Sequence, residues 1–147
     1  SAHLAEEAFD VFLSARQQVS LFDDVAHCLT WASTRYSLVA LTNGNACIHR
    51  TGIGHWFVDQ VNPSLVGVAK PHPAFFHWML NKLNVSPNQV IHIGDDPMTD
   101  VMGAMNVGIE PIWVNRQLKP WTLTSEPPQH QIESLSQLPA VLSKFTH

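Results

Sequence analysis

Val90-Ile91-His92-Ile93-Gly94-Asp95-Asp96-Pro97-Met98-Thr99-Asp100 is the stretch whose reading decides the fold. Val90–Ile93 predicts a strand, the acidic residues a loop at its end, and Val101–Val107 a helix that Gly108 stops. Two carboxylates about 4 Å apart repel by about 4 kcal/mol at an effective dielectric near 20. A cation offsets that repulsion, and Mg²⁺ usually takes one or two carboxylates together with waters and phosphate. Asp95, Asp96 and Asp100 are therefore the candidate metal ligands. A plainer reading also stands: acids at a helix start complement its dipole.

Upstream, Ser37-Leu-Val-Ala-Leu-Thr42 is a short continuous apolar run, as in a parallel strand buried on both faces, and Asn43-Gly44-Asn45 ends it in a turn. The Thr42 hydroxyl can donate to a phosphate oxygen, helped by backbone N–H groups of the Asn43-Gly44 turn. A turn capped by Thr and Asn is the alternative. Lys70, kept out of helix by Pro71, can bring a point charge to phosphate or to a nucleophilic carboxylate. Alone, it reads as a surface lysine before proline.

Between and beyond these motifs, strands and helices alternate. Val58–Val61 predicts a strand. A helix opens at Pro73 and runs through Phe76, Leu80 and Leu83, and Ser86-Pro87 breaks it. Ile109–Val114 predicts another strand, which Pro111 marks as an edge. Pro120–His130 reads as loop, and Ile132–Phe145 as a short strand and a last helix interrupted near Pro139. Gly52–Phe57 reads as the close of a helix. The alternation implies an α/β layer with a mostly parallel sheet, its active loops beyond the carboxyl ends of the strands.

The start of the chain reads differently. Leu4–Arg16 predicts a helix with Ala8, Phe12 and Ala15 on one face, and Leu21–Leu29 a second one capped by Ser20. No strand separates them, so residues 1–19 read as the end of an added helical cap, and residues 20–147 as the core. The chain begins with Ser1, nearly inside a helix, which suggests a trimmed protein. No Asp-x-Asp follows any apolar strand: Asp10 follows Ala-Phe within a helical pattern, and Asp23-Asp24 lack the spacing.

Composition bounds the rest. The 147 residues carry a net charge of −4, which argues against a nucleic-acid footprint of clustered Lys and Arg. No apolar run of about 20 residues suggests a membrane span. Cys28 and Cys47 lack CxxC spacing, so a reducing cytoplasm is the expected home. The nine histidines show no HExxH pattern and read as surface or packing residues.

Taken in order, Thr42-Asn43-Gly44, Lys70-Pro71 and Gly94-Asp95-Asp96-x-x-x-Asp100 resemble the haloacid dehalogenase-like (HAD) hydrolase superfamily. Gly52–Phe57 and Met102–Gly108 also resemble it. The helical start and Leu41-Thr-Asn-Gly-Asn45 are most similar to its small phosphatases with a helical cap, the bacterial flavin mononucleotide phosphatase type among them. The resemblance implies a Rossmann-like α/β core and phosphate-monoester hydrolysis through an aspartyl-phosphate, with Mg²⁺ as cofactor and a small phosphorylated metabolite as substrate. It implies that Thr42 and Lys70 stabilise phosphate and developing charge, and that Asp95 ligates Mg²⁺ directly, with Asp96 or Asp100 second. In that family an aspartate on the first, central strand attacks phosphorus, and a second aspartate two residues on is the acid and base. Neither can be placed here. The expectation is a C-terminal fragment lacking its first strand and inactive alone, either a phosphatase part or a non-catalytic phosphate- and metal-binding or assembly module. The open sheet position would be filled by a retained N-terminal peptide, by a swapped segment in a dimer, or by direct pairing of its two neighbours.

Overall fold

Residues 10–14, 23–43 and 54–145 are described in the computed structural model of the chain. Their core is a fully parallel sheet of β1 (Asp10–Ser14), β2 (Ser37–Leu41), β3 (Asp59–Val61), β4 (Val90–Gly94), β5 (Glu110–Val114) and β6 (His130–Ile132). The spatial order is β3-β2-β1-β4-β5-β6.

β2 and β4 are where the apolar runs predict them, and period-two alternation sends their side chains to two separate cores. Leu38, Ala40, Ile91 and Ile93 pack on one face with α1 (Asp23–Ser33) and the C-terminal α5 (Leu138–Leu142). Val39, Leu41 and Val90 pack on the other with α3 (Pro73–Leu83) and α4 (Gly103–Asn106). α3 starts as Pro73 predicts, with the His72 side chain accepting from the Ala74 N–H, and ends at Asn84 in the left-handed conformation at φ 55°. It buries Phe75, Phe76, Met79 and Leu80, each worth about 1.5–3 kcal/mol removed from water.

The helical expectation for Asp10–Ser14 is overturned. Asp10–Ser14, read as helix and as part of a cap, is the central strand β1, parallel to both β2 and β4. Asp10–Ser14 fills the place between β2 and β4, so those two strands do not pair directly. The cause is tertiary. Two facing strand edges carry unpaired N–H and C=O groups whose burial is costly, and any short segment that pairs both removes that cost. The remainder of residues 1–19, and Ser20 as cap of α1, lie outside the described residues.

Two smaller expectations also change. β5 is not an edge, but β6 pairs only with Ile112–Val114, so Pro111 lies past the end of β6 and its missing N–H breaks no ladder there. Pro139 does not interrupt the last helix; it occupies the first turn of α5, where a missing N–H costs nothing. Gly54–Trp56 forms a 3₁₀ turn, and the four-residue α2 (Pro63–Val66) follows β3. Among the described residues no helix is long and apolar enough to cross a membrane.

Candidate active site

The carboxyl ends of β2 and β4 meet the loop carrying Lys70, and a buried ion pair joins them. Lys70 Nζ donates to Asp100 Oδ1 at 2.7 Å and to the Leu41 carbonyl at 3.3 Å. The two side chains are only 3% and 2% exposed. His92 Nε2 lies 3.2 Å from the same Asp100 oxygen. The other oxygen, Oδ2, accepts from the Asp96 N–H at 3.1 Å. Burial alone would raise the Asp100 pKa; the His92 hydrogen bond and the Lys70 charge outweigh it and hold the carboxyl well below the usual carboxylate range.

Local structure explains why Asp100 reaches inward. After β4 the Asp96 carboxylate caps the next turn, accepting from the N–H groups of Met98 and Thr99, both at 2.9 Å. Pro97–Met102 then forms a π-helical segment, whose wide turn leads into α4. The missing side chain of Gly94 makes room: a Cβ built there would lie 2.5 Å from Asp100 Cγ.

Lys70 is held at its backbone as well. Asn43 Oδ1 accepts from the Lys70 N–H, and Asn43 Nδ2 donates to the Lys70 carbonyl, both at 2.9 Å. The Lys70-Pro71 peptide is cis. Thr42 is buried, its N–H donating to the Val61 carbonyl at 2.9 Å. Its hydroxyl is 3.5 Å from that same oxygen, the outer limit of a hydrogen bond.

The sequence-predicted residues therefore separate into those that meet and those that do not. Thr42, Asn43, Lys70 and Asp100 come together; Gly44 lies outside the described residues. The proposed metal trio does not converge. Asp96 spends its carboxylate on the helix cap and Asp100 on Lys70 and His92. Among the described residues no group of three His, Cys, Asp or Glu side chains is arranged to hold a metal ion. Asp95 stands at the end of β4, its carbonyl accepting from Trp113 Nε1 at 3.0 Å. The Asn43 side chain clamps the Lys70 backbone, a role beside the backbone N–H contact with phosphate expected of its turn.

Two contributors were missed in the sequence, His92 and Trp113. His92 had a signal, a polar residue inside the apolar run Val90–Ile93; Trp113 had none. Asp10 is in a strand after all, yet at the wrong end. It pairs in register with Ser37 and Val90, where β2 and β4 begin. Four residues of strand, about 13 Å, separate it from the site. The residue that ends β1 beside Leu41 is Ser14.

A family model for haloacid dehalogenase-like hydrolases matches residues 2–108. The chain belongs to that family. It is 32% identical over 122 residues to a phosphoserine phosphatase of Thermus thermophilus, covering 79% of this chain and 49% of that protein. It is 30% identical over 149 residues to the N-acylneuraminate-9-phosphatase of Homo sapiens, covering 97% of this chain and 60% of that one. The 2-haloacid dehalogenase of Pseudomonas syringae pv. Tomato DC3000 superposes with a TM-score of 0.83 at 35% identity, over 88% of this chain and 56% of that one. This HAD-like chain thus spans 49% to 60% of these relatives' lengths. Its parallel sheet is the Rossmann-like core expected of the family, and both phosphatases and a dehalogenase are among the hydrolases it is similar to.

Proposed function

We propose that this chain forms the phosphate-binding, charge-stabilising part of a Mg²⁺-dependent phosphate-monoester hydrolase, and that by itself it does not turn over substrate. The observation that carries the reading is the buried Lys70 ammonium, fixed at the carboxyl ends of β2 and β4 beside Thr42. A desolvated ammonium of fixed position is worth far more to an anion than the same charge in water. Lys70 supplies the charge, Asn43 and Asp100 hold it, and the Thr42 hydroxyl is the further donor the family resemblance implies. Asp95 is the residue to hold Mg²⁺, which fits this site only with waters and a phosphate group completing its shell. When bound, the cation would neutralise charge on the phosphate oxygens.

The expected lack of turnover follows from β1. Attack on phosphorus needs a nucleophile at the end of the central strand, where the sequence has Leu13-Ser14 and no carboxylate. The same feature favours the second reading, a phosphate- and metal-binding or assembly module without chemistry. The relatives differ in the substrates their names carry, so the class proposed here is a small phosphorylated metabolite.

Thermal melting with inorganic phosphate and Mg²⁺ tests the site. A ligand at a hundred times its dissociation constant should add about 2.7 kcal/mol of stability, and Lys70→Met should abolish the shift. Absence of any shift in the unaltered chain overturns the phosphate site. Hydrolysis of an aryl phosphate by the purified chain, lost in Asp95→Asn, overturns its inactivity. Turnover restored by a peptide that carries an Asp-x-Asp strand would favour the hydrolase over the binding module.

A further inference from the structure

We propose that His92 is a positioning residue: through the Asp100 carboxylate it holds the Lys70 ammonium at the carboxyl end of β2. The inference rests on Lys70 being the cation of the proposed phosphate site. His92 sits inside β4 with a side chain 0% exposed, and burying an imidazole there is costly unless its polar atoms are used. Its ring meets Phe76 edge-on, with centroids 5.3 Å apart and planes at 89°, which sets the direction in which Nε2 points.

That nitrogen lies 3.2 Å from Asp100 Oδ1, the oxygen that takes Lys70 Nζ at 2.7 Å. Ionised Asp100 has no proton to offer, so Nε2 carries the hydrogen and donates. Oδ1 is thereby held between two donors on different elements, and the Asp96 N–H fixes Oδ2. Without His92 the carboxylate keeps only the Lys70 ammonium on Oδ1 and the Asp96 N–H on Oδ2, and loses the one donor that ties it to β4. Lys70's backbone would not follow, since Asn43 clamps it separately. His92 therefore acts on the ammonium end of Lys70 and not on the loop that carries it.

The test uses the full chain with His92→Gln and His92→Met, side chains of nearly equal size that differ in having or lacking an N–H donor. Two quantities are read. One is the ¹⁵N–¹H resonance of the Lys70 ammonium, assigned by its loss in Lys70→Met; the other is the affinity for inorganic phosphate. H92M should shift or broaden the Lys70 signal and weaken phosphate binding about tenfold, the scale of one charge-assisted hydrogen bond. H92Q should restore both. An unmoved Lys70 signal in H92M, or identical behaviour of the two variants, overturns the inference. If H92M does not fold, Asp100→Asn decides: it should displace the Lys70 signal, and an undisturbed signal overturns the inference too. A chain that binds no phosphate defeats the functional reading alone, because the Lys70 resonance still reports the positioning.

Discussion

Replacing Gly94 by alanine should break the site without replacing any charged group. The new Cβ would meet Asp100 Cγ at 2.5 Å and its Cβ and Oδ2 at 2.6 Å, about 1 Å inside ordinary carbon contact. Gly94 has no left-handed backbone to protect, so alanine suits the strand itself and the cost lies wholly in Asp100. Crowding of this kind costs about 1–3 kcal/mol. If the carboxylate swings away from Lys70, a buried pair is also broken, at about 3–5 kcal/mol. Together these reach about 4–8 kcal/mol, a large part of the 5–15 kcal/mol that stabilises a typical domain. Urea unfolding gives the loss directly, and a double-mutant cycle with Asp100→Ala assigns it. In the Asp100→Ala background the pair is already gone, so G94A should cost about 3 kcal/mol less than in the unaltered chain. A loss below about 1 kcal/mol, typical of a neutral surface change, or strict additivity with Asp100→Ala, would refute the reasoning.

Three further outcomes follow from the same contacts. Asp100 is held ionised below its ordinary pKa of about 4, so its stabilisation is fully present above that pH and is lost as pH falls through and beneath it. Melting curves from pH 7 to pH 3 should show the gap between unaltered chain and Asp100→Asn narrowing on acidification; a constant gap contradicts the assignment. Asn43→Ala removes both hydrogen bonds to the Lys70 backbone and should cost about 1–2 kcal/mol in urea unfolding, half-exposed bonds being worth about 1 kcal/mol or less each. Trp113→Phe keeps an aromatic ring but deletes the N–H that the Asp95 carbonyl accepts and shrinks a buried side chain; about 1 kcal/mol should be lost with the hydrogen bond and more with the packing, with Mg²⁺ and phosphate stabilisation reduced alongside, and unchanged ligand stabilisation would show that Asp95 does not depend on that anchor.

Much of the fold was legible because its signals are local. Apolar runs marked β2 and β4, Pro73 marked the start of α3, and the acidic cluster marked the end of a strand. β1 was not legible. Residues 10–14 carry a helical spacing shared with Ala8 and Ala15, and their strand conformation comes from pairing with Ser37–Leu41 and Val90–Ile93, far along the chain. No local preference records whether two distant strands leave a place to fill. The π-helical segment was hidden for a similar reason, since its wide turn follows from the Asp96 cap and the inward reach of Asp100.

For the site, the sequence by itself determined the inventory: a threonine and an asparagine after one strand, a lysine before a proline, three aspartates after another strand, and no carboxylate suited to the end of a central strand. Those residues were enough to point to the HAD-like hydrolases. Only the tertiary structure decided which groups meet. A carboxylate can neutralise a metal ion, cap a helix or pair with a lysine, and its residue type is the same in all three. Asp96 became a cap, and Asp100, 30 residues from Lys70, became its counter-ion. Asn43, 27 residues from Lys70, became the clamp on its backbone. These partners are set by the packing of β2, β4 and α3, because the free energy of a buried charge depends on the few ångströms around it and not on its neighbours in sequence.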